Sequence, residues 1–131
     1  MAYYIVLQRN LPGFDHRVNG KALARASELL EGLAREASVE SLMDFFGAPR
    51  QELAEFAEDH GIDFNQEAIE VPAKRWFSPD DGLRTVSALT DAVKNRKPEH
   101  AEEILRDLQD FRRVLEAART NGIGWYLAVD Y

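Results

Sequence analysis

Ile123-Gly124-Trp125-Tyr126-Leu127-Ala128-Val129-Asp130-Tyr131 closes the chain, and its odd positions Ile123, Trp125, Leu127, Val129 and Tyr131 form one apolar face. Alternation at a period of two in aromatic and β-branched residues is the pattern of a strand, because successive side chains leave a pleated backbone on opposite sides. At the other end Tyr3-Tyr4-Ile5-Val6-Leu7 sets Tyr3, Ile5 and Leu7 against Tyr4 and Val6 and is closed by Leu11-Pro12-Gly13. It reads as a second strand. Two such apolar strands at the termini are expected side by side in the centre of one sheet.

Between them the period changes to that of helices. From Asn19, an N-cap residue type, Ala22, Leu23, Ala26, Leu29, Leu30, Leu33, Ala34 and Ala37 make one apolar stripe, which predicts a helix of about five turns. Ser38 opens a shorter segment with Leu42-Met43 and Phe45-Phe46, stopped by Gly47 in the left-handed role that suits a residue without Cβ. Pro49 starts a third helix with Leu53, Phe56 and Ala57 inward, ended by Gly61. Ile62 to Val71 is expected to be a loop with a short strand, and Lys74-Arg75-Trp76-Phe77 a strand. Ser78 as N-cap, Pro79 at the first position and Asp80-Asp81 in the first turn begin the next helix, where carboxylates meet the positive end of the helix dipole. Pro98 restarts the last helix, which runs to about Thr120 on Ala101, Ile104, Leu108, Phe111, Leu115 and Ala118. The expected fold is a single α+β domain over residues 1–131. Its two layers are a small sheet of about three strands, terminal strands adjacent, and about five helices, the last two an antiparallel hairpin over one face.

Composition bounds the function classes. The 131 residues hold 16 Lys and Arg against 23 Asp and Glu, a formal net charge of −7, and no Cys. Without Cys there is no thiolate zinc site, iron–sulfur ligation, Cys nucleophile or disulfide framework, and a reducing cytosol is the natural compartment. The acidic balance opposes nucleic-acid and anionic-membrane binding. No apolar run approaches the length of a spanning helix, and residues 1–7 carry no basic leader pattern, so a cytoplasmic location is expected. The charge is uneven. Residues 38–72 hold Arg50 alone against nine acids, and so carry nearly all of the excess. Glu52, Glu55 and Asp59 fall at i, i+3 and i+7 on the helix face opposite Leu53 and Phe56, a stripe that would attract a basic protein partner.

The search for catalytic groups returns little. His16, His60 and His100 are unpaired in sequence, and His100-Ala101-Glu102 lacks the Cys pair that a zinc deaminase needs, so neither a metal nor a cofactor is expected. Asp63, Glu67 and His60 are the one cluster that a carboxylate-dependent hydrolase or lyase could use. The turn Arg96-Lys97-Pro98-Glu99-His100 could seat an anion, although dipole complementarity at two helix ends explains the same residues. Tyr4, Trp76 and Tyr126 would form an aromatic binding patch if they shared an uncovered sheet face. The stretch from Asp107 to Asp130, an amphipathic helix, a Gly stop and an apolar strand, resembles the close of small bacterial proteins of the YfbM type. That resemblance covers under a quarter of the chain and implies no catalytic residue. The expected function is that of an acidic protein-interaction or accessory module without catalysis. The alternatives are the carboxylate-dependent enzyme and a homodimeric scaffold joined through an edge strand.

Overall fold

A computed structural model describes residues 1–47 and 75–130. Strands β1 (Ala2–Leu7) and β2 (Trp125–Asp130) pair antiparallel from Ala2 opposite Asp130 to Leu7 opposite Trp125. The helices are α1 (Lys21–Arg25), α2 (Ser27–Glu36), α3 (Pro79–Arg96) and α4 (Ala101–Thr120), with a short 3-10 turn at Leu42–Phe45. Among the described residues this is an α+β arrangement of two strands and four helices, which corrects the expectation of about three strands and five helices. The terminal strands are neighbours, as their patterning requires.

Three local corrections have physical reasons. The segment ending in Phe77 does not form a strand in its described part: Phe77 alone exchanges backbone hydrogen bonds with Trp125, at 2.8 and 3.1 Å, before Pro79 forces a helix start. The stripe after Asn19 is two helices, because the backbone leaves helical geometry at Ala26 (φ −96°, ψ 19°), and Gly20 rather than Asn19 is the cap residue. Ser38 is no cap. It sits at φ 58° just past α2, and it is Ser41 that opens the 3-10 turn, its N–H donating to Asp44 Oδ2 at 2.9 Å. Ser78, by contrast, caps α3 as its sequence predicts, with Oγ accepting from Asp80 N–H at 3.2 Å. The expected third helix from Pro49 to Gly61 and the short strand within Ile62 to Val71 lie outside the described residues, as does Tyr131.

The helices pack on the odd face of the sheet. Tyr3, Ile5, Trp125 and Leu127 enter one core with Leu23, Phe45, Leu89, Ile104, Leu108 and Phe111. Trp125 is its largest member, fully buried, 4.9 Å from the Phe45 ring, with Nε1 donating to Ser78 C=O at 3.1 Å. That bond satisfies the indole's single donor, the condition on which a buried Trp is stable. Gly82 on α3 allows the approach, since a Cβ there would lie 2.8 Å from Trp125 Cε2. Helices α3 and α4 turn back on each other through residues 97–100, where Lys97 and His100 both take positive φ, 47° and 63°.

Candidate functional site

Hydrogen-bond parity decides which parts of the sheet are finished. In an antiparallel ladder the backbone groups of alternate residues point to opposite edges. Tyr3 directs both groups away from β2, donating to Gly20 C=O at 3.2 Å and accepting from Gly20 N–H at 2.8 Å. Ile5 and Leu7 share that parity, so their N–H and C=O groups face the same outer edge, and no described residue pairs with them there. The outer edge of β2 is more fully used: Trp125 is paired with Phe77, and Leu127 C=O accepts from Gly47 N–H at 3.2 Å. Gly47 has a steric task rather than a left-handed one, for a Cβ there would come within 2.7 Å of Tyr126 Cβ.

Along β1 runs a groove of about 580 Å³. All six residues of the strand line it, with half-buried Tyr4 and Val6 on the face away from the helical core. Its far wall is the return segment His16, Arg17, Val18 and Asn19, with Lys21 at one end. Helix α4 holds that wall in place. Arg113 donates to Asp15 C=O at 2.7 Å and its guanidinium covers the Phe14 ring at 5.2 Å. Asp15 accepts from the Arg17 backbone N–H at 3.0 Å and from Arg17 Nε at 3.2 Å, and these bonds hold its carboxyl below the ordinary range. The groove is therefore apolar at its base, polar along its wall, and bordered by an edge whose backbone groups no described residue pairs.

A larger hollow of about 900 Å³ lies over α3 and α4, lined by long charged side chains such as Arg112, Arg113, Asp110 and Glu116. These neutralise one another in pairs, Arg112 with Glu116 at 3.0 Å and Arg113 with Asp110 at 3.2 Å, so it has the character of a solvated valley between helices.

A third hollow, about 460 Å³, separates α1 from the start of α4. Here Asp107 Oδ2 accepts from the N–H groups of Ala22 at 3.0 Å and Leu23 at 3.3 Å, supplying from another helix the cap that α1 lacks in its own sequence. Burial pushes the Asp107 carboxyl above its ordinary value, and the two backbone donors pull against that rise.

Of the residues singled out by sequence, Trp76 and Tyr126 are brought together, with ring centroids 5.1 Å apart; Tyr126 is 4% exposed and Trp76 half-buried. Tyr4 shares their sheet face opposite Ala128 and lies in the β1 groove. Glu52, Glu55 and Asp59 lie outside the described residues, as do His60, Asp63 and Glu67. In the turn before α4, Arg96 is taken by Glu36 at 2.6 Å, and His100 by Glu103 at 3.0 Å and Glu99 at 3.7 Å. Among the described residues no three His, Cys, Asp or Glu side chains gather as a metal site, and no helix is long and apolar enough to cross a membrane. The wall residues His16, Arg17 and Asn19 were not legible as a site, because an irregular polar segment has no period to read. No protein-family model, curated protein or solved structure matches the chain.

Proposed function

We propose that this chain is a protein-binding module without catalysis, whose β1 groove takes an extended segment of a partner protein. The observation that carries the reading is the outer edge at Ile5 and Leu7, which no described residue pairs, beside a groove lined by the whole strand. Ile5 is 3% exposed, so water reaches its outward groups poorly. Leaving a buried backbone group unpaired costs about 1–3 kcal/mol, which an added strand recovers. Tyr4 and Val6 offer apolar contact to alternate side chains of that segment, and Arg17 and Lys21 on the wall favour an acidic residue in it. The negative charge of Glu52, Glu55 and Asp59, which lie outside the described residues, would favour a basic surface elsewhere on the partner.

Selection of strand-length peptides on the immobilised chain tests the groove. Peptides that bind the native chain are expected to lose affinity at least about tenfold against Val6→Lys, with the variant's melting unchanged. Equal binding to both would end the reading. For a cognate partner, reversing Glu52, Glu55 and Asp59 to Lys is expected to weaken association, most strongly at low salt. A second copy as the occupant would instead appear as a concentration-dependent dimer in gel filtration.

A further inference from the structure

We propose that the hollow between α1 and the start of α4 binds a small organic anion, a phosphate or carboxylate group carried on an apolar body. Three cations border it, Lys21 and Arg25 one turn apart on α1 and Arg106 on α4. None of the three makes a hydrogen bond or ion pair with any described residue. Among the other described arginines, Arg17, Arg84, Arg96, Arg112 and Arg113 each meet a described carboxylate within 3.9 Å, whereas Arg9, Arg35, Arg75 and Arg119 do not; what sets Lys21, Arg25 and Arg106 apart is that all three border one hollow.

Three acids line the same hollow: the Arg106 charge acts on Asp107, while Glu99 and Glu103 lie against His100. Glu103 Oε2 is 3.0 Å from His100 Nδ1, and Glu99 Oε1 is 3.7 Å from His100 Nε2. Asp107 turns Oδ2 to the backbone of Ala22 and Leu23. His100 holds its place at φ 63°, a conformation costly for a residue with a Cβ, and it is the residue that gathers Glu99 and Glu103. The base of the hollow is apolar, from Ala22, Ala26, Leu29 and Ile104, and Leu29 is 40% exposed. Cations at the rim and methyl groups at the base fit an anion with a hydrophobic body, and about 460 Å³ is the size of a small-ligand pocket.

The hollow shares Lys21 with the β1 groove, whereas Arg25 and Arg106 line it without lining the groove. The test is an amide NMR titration of the full chain with phenyl phosphate and with inorganic phosphate. Phenyl phosphate is expected to give saturable shifts at Ala22, Ala26, Leu29 and Ile104 and to bind at least about tenfold more tightly than inorganic phosphate, as burial of a ring requires. Arg25→Gln and Arg106→Gln should each weaken it about tenfold or more, the loss expected for one charge-assisted hydrogen bond. Arg35→Gln, which removes a similarly unpaired cation on α2 outside the hollow, should leave it unchanged. Linear, unsaturable shifts, equal loss in Arg35→Gln, or equal affinity for the two anions would overturn the assignment.

Discussion

Tyr3 and Gly20 exchange both of their backbone hydrogen bonds, at 3.2 and 2.8 Å, and so finish the outer edge of β1 at one rung while the next rung, at Ile5, has no described partner. A Cβ on Gly20 would lie 2.8 Å from Tyr3 C=O and 3.2 Å from Phe111 Cζ, so the bridge depends on the missing methyl. Gly20→Ala is expected to cost about 1–3 kcal/mol, because neither a strand carbonyl nor a core ring can move aside freely. The urea midpoint measures it; a neutral or stabilising result would show that the 20–21 turn relaxes away from the sheet.

At Gly82 helix propensity and packing oppose each other. Ala in a helix interior is better than Gly by about 1 kcal/mol. Here the added methyl would strike the Trp125 indole, which is fully buried and bonded to Ser78. Gly82→Ala is therefore expected to destabilise and to red-shift the tryptophan emission as the ring is displaced toward solvent. A gain in stability would mean that propensity wins and that the indole contact is loose.

Asp107 ties α1 to α4, and its pH dependence follows from its position. The folded chain holds the Asp107 proton more tightly than the ordinary 3.8. Protonation therefore favours folding: the contribution is complete below that value and is lost as pH climbs through the raised one. Asp107→Asn keeps an oxygen for the Ala22 and Leu23 N–H groups and does not titrate, so its stability should fall less than that of the native chain across the same window. Parallel pH profiles of the urea midpoint would contradict this. Asp107→Ala leaves both donors unmet and should cost about 1–2 kcal/mol at neutral pH.

Trp76 against Tyr126 is a contact between two elements far apart in sequence. Trp76→Ala is expected to lose about 0.5–1.5 kcal/mol of ring–ring attraction beyond the area it uncovers. Comparison with the same substitution in a Tyr126→Leu background isolates that part; additive losses would show that the rings are adjacent without interacting.

What the sequence made legible follows from where periodicity is strong. Residues 101–120 repeat their apolar positions through five turns' worth of chain and fold as one helix, and Trp125 to Asp130 alternates as a strand. Ser78 and Pro79 mark a helix start by local chemistry alone. Near Ala26 the stripe is continuous and still hides a break, because side-chain pattern does not report a change in backbone ψ at one residue. Trp76-Phe77 has strand composition, yet whether a segment pairs along its length depends on what lies opposite it, and only Phe77 meets Trp125. The β1 groove was legible only through Tyr4. Its wall is fixed by Arg113 reaching Asp15 across 98 positions, a relation that no local pattern encodes.

The edge at Ile5, without a partner among the described residues, is the claim on which the binding reading turns, and amide hydrogen exchange with and without a selected peptide addresses it directly. The Tyr3 amide, bonded to Gly20, should exchange at the same slow rate in both samples, whereas the Ile5 amide should slow on peptide addition as a new strand supplies its acceptor. Bound peptide with Ile5 exchange unaltered would contradict the account.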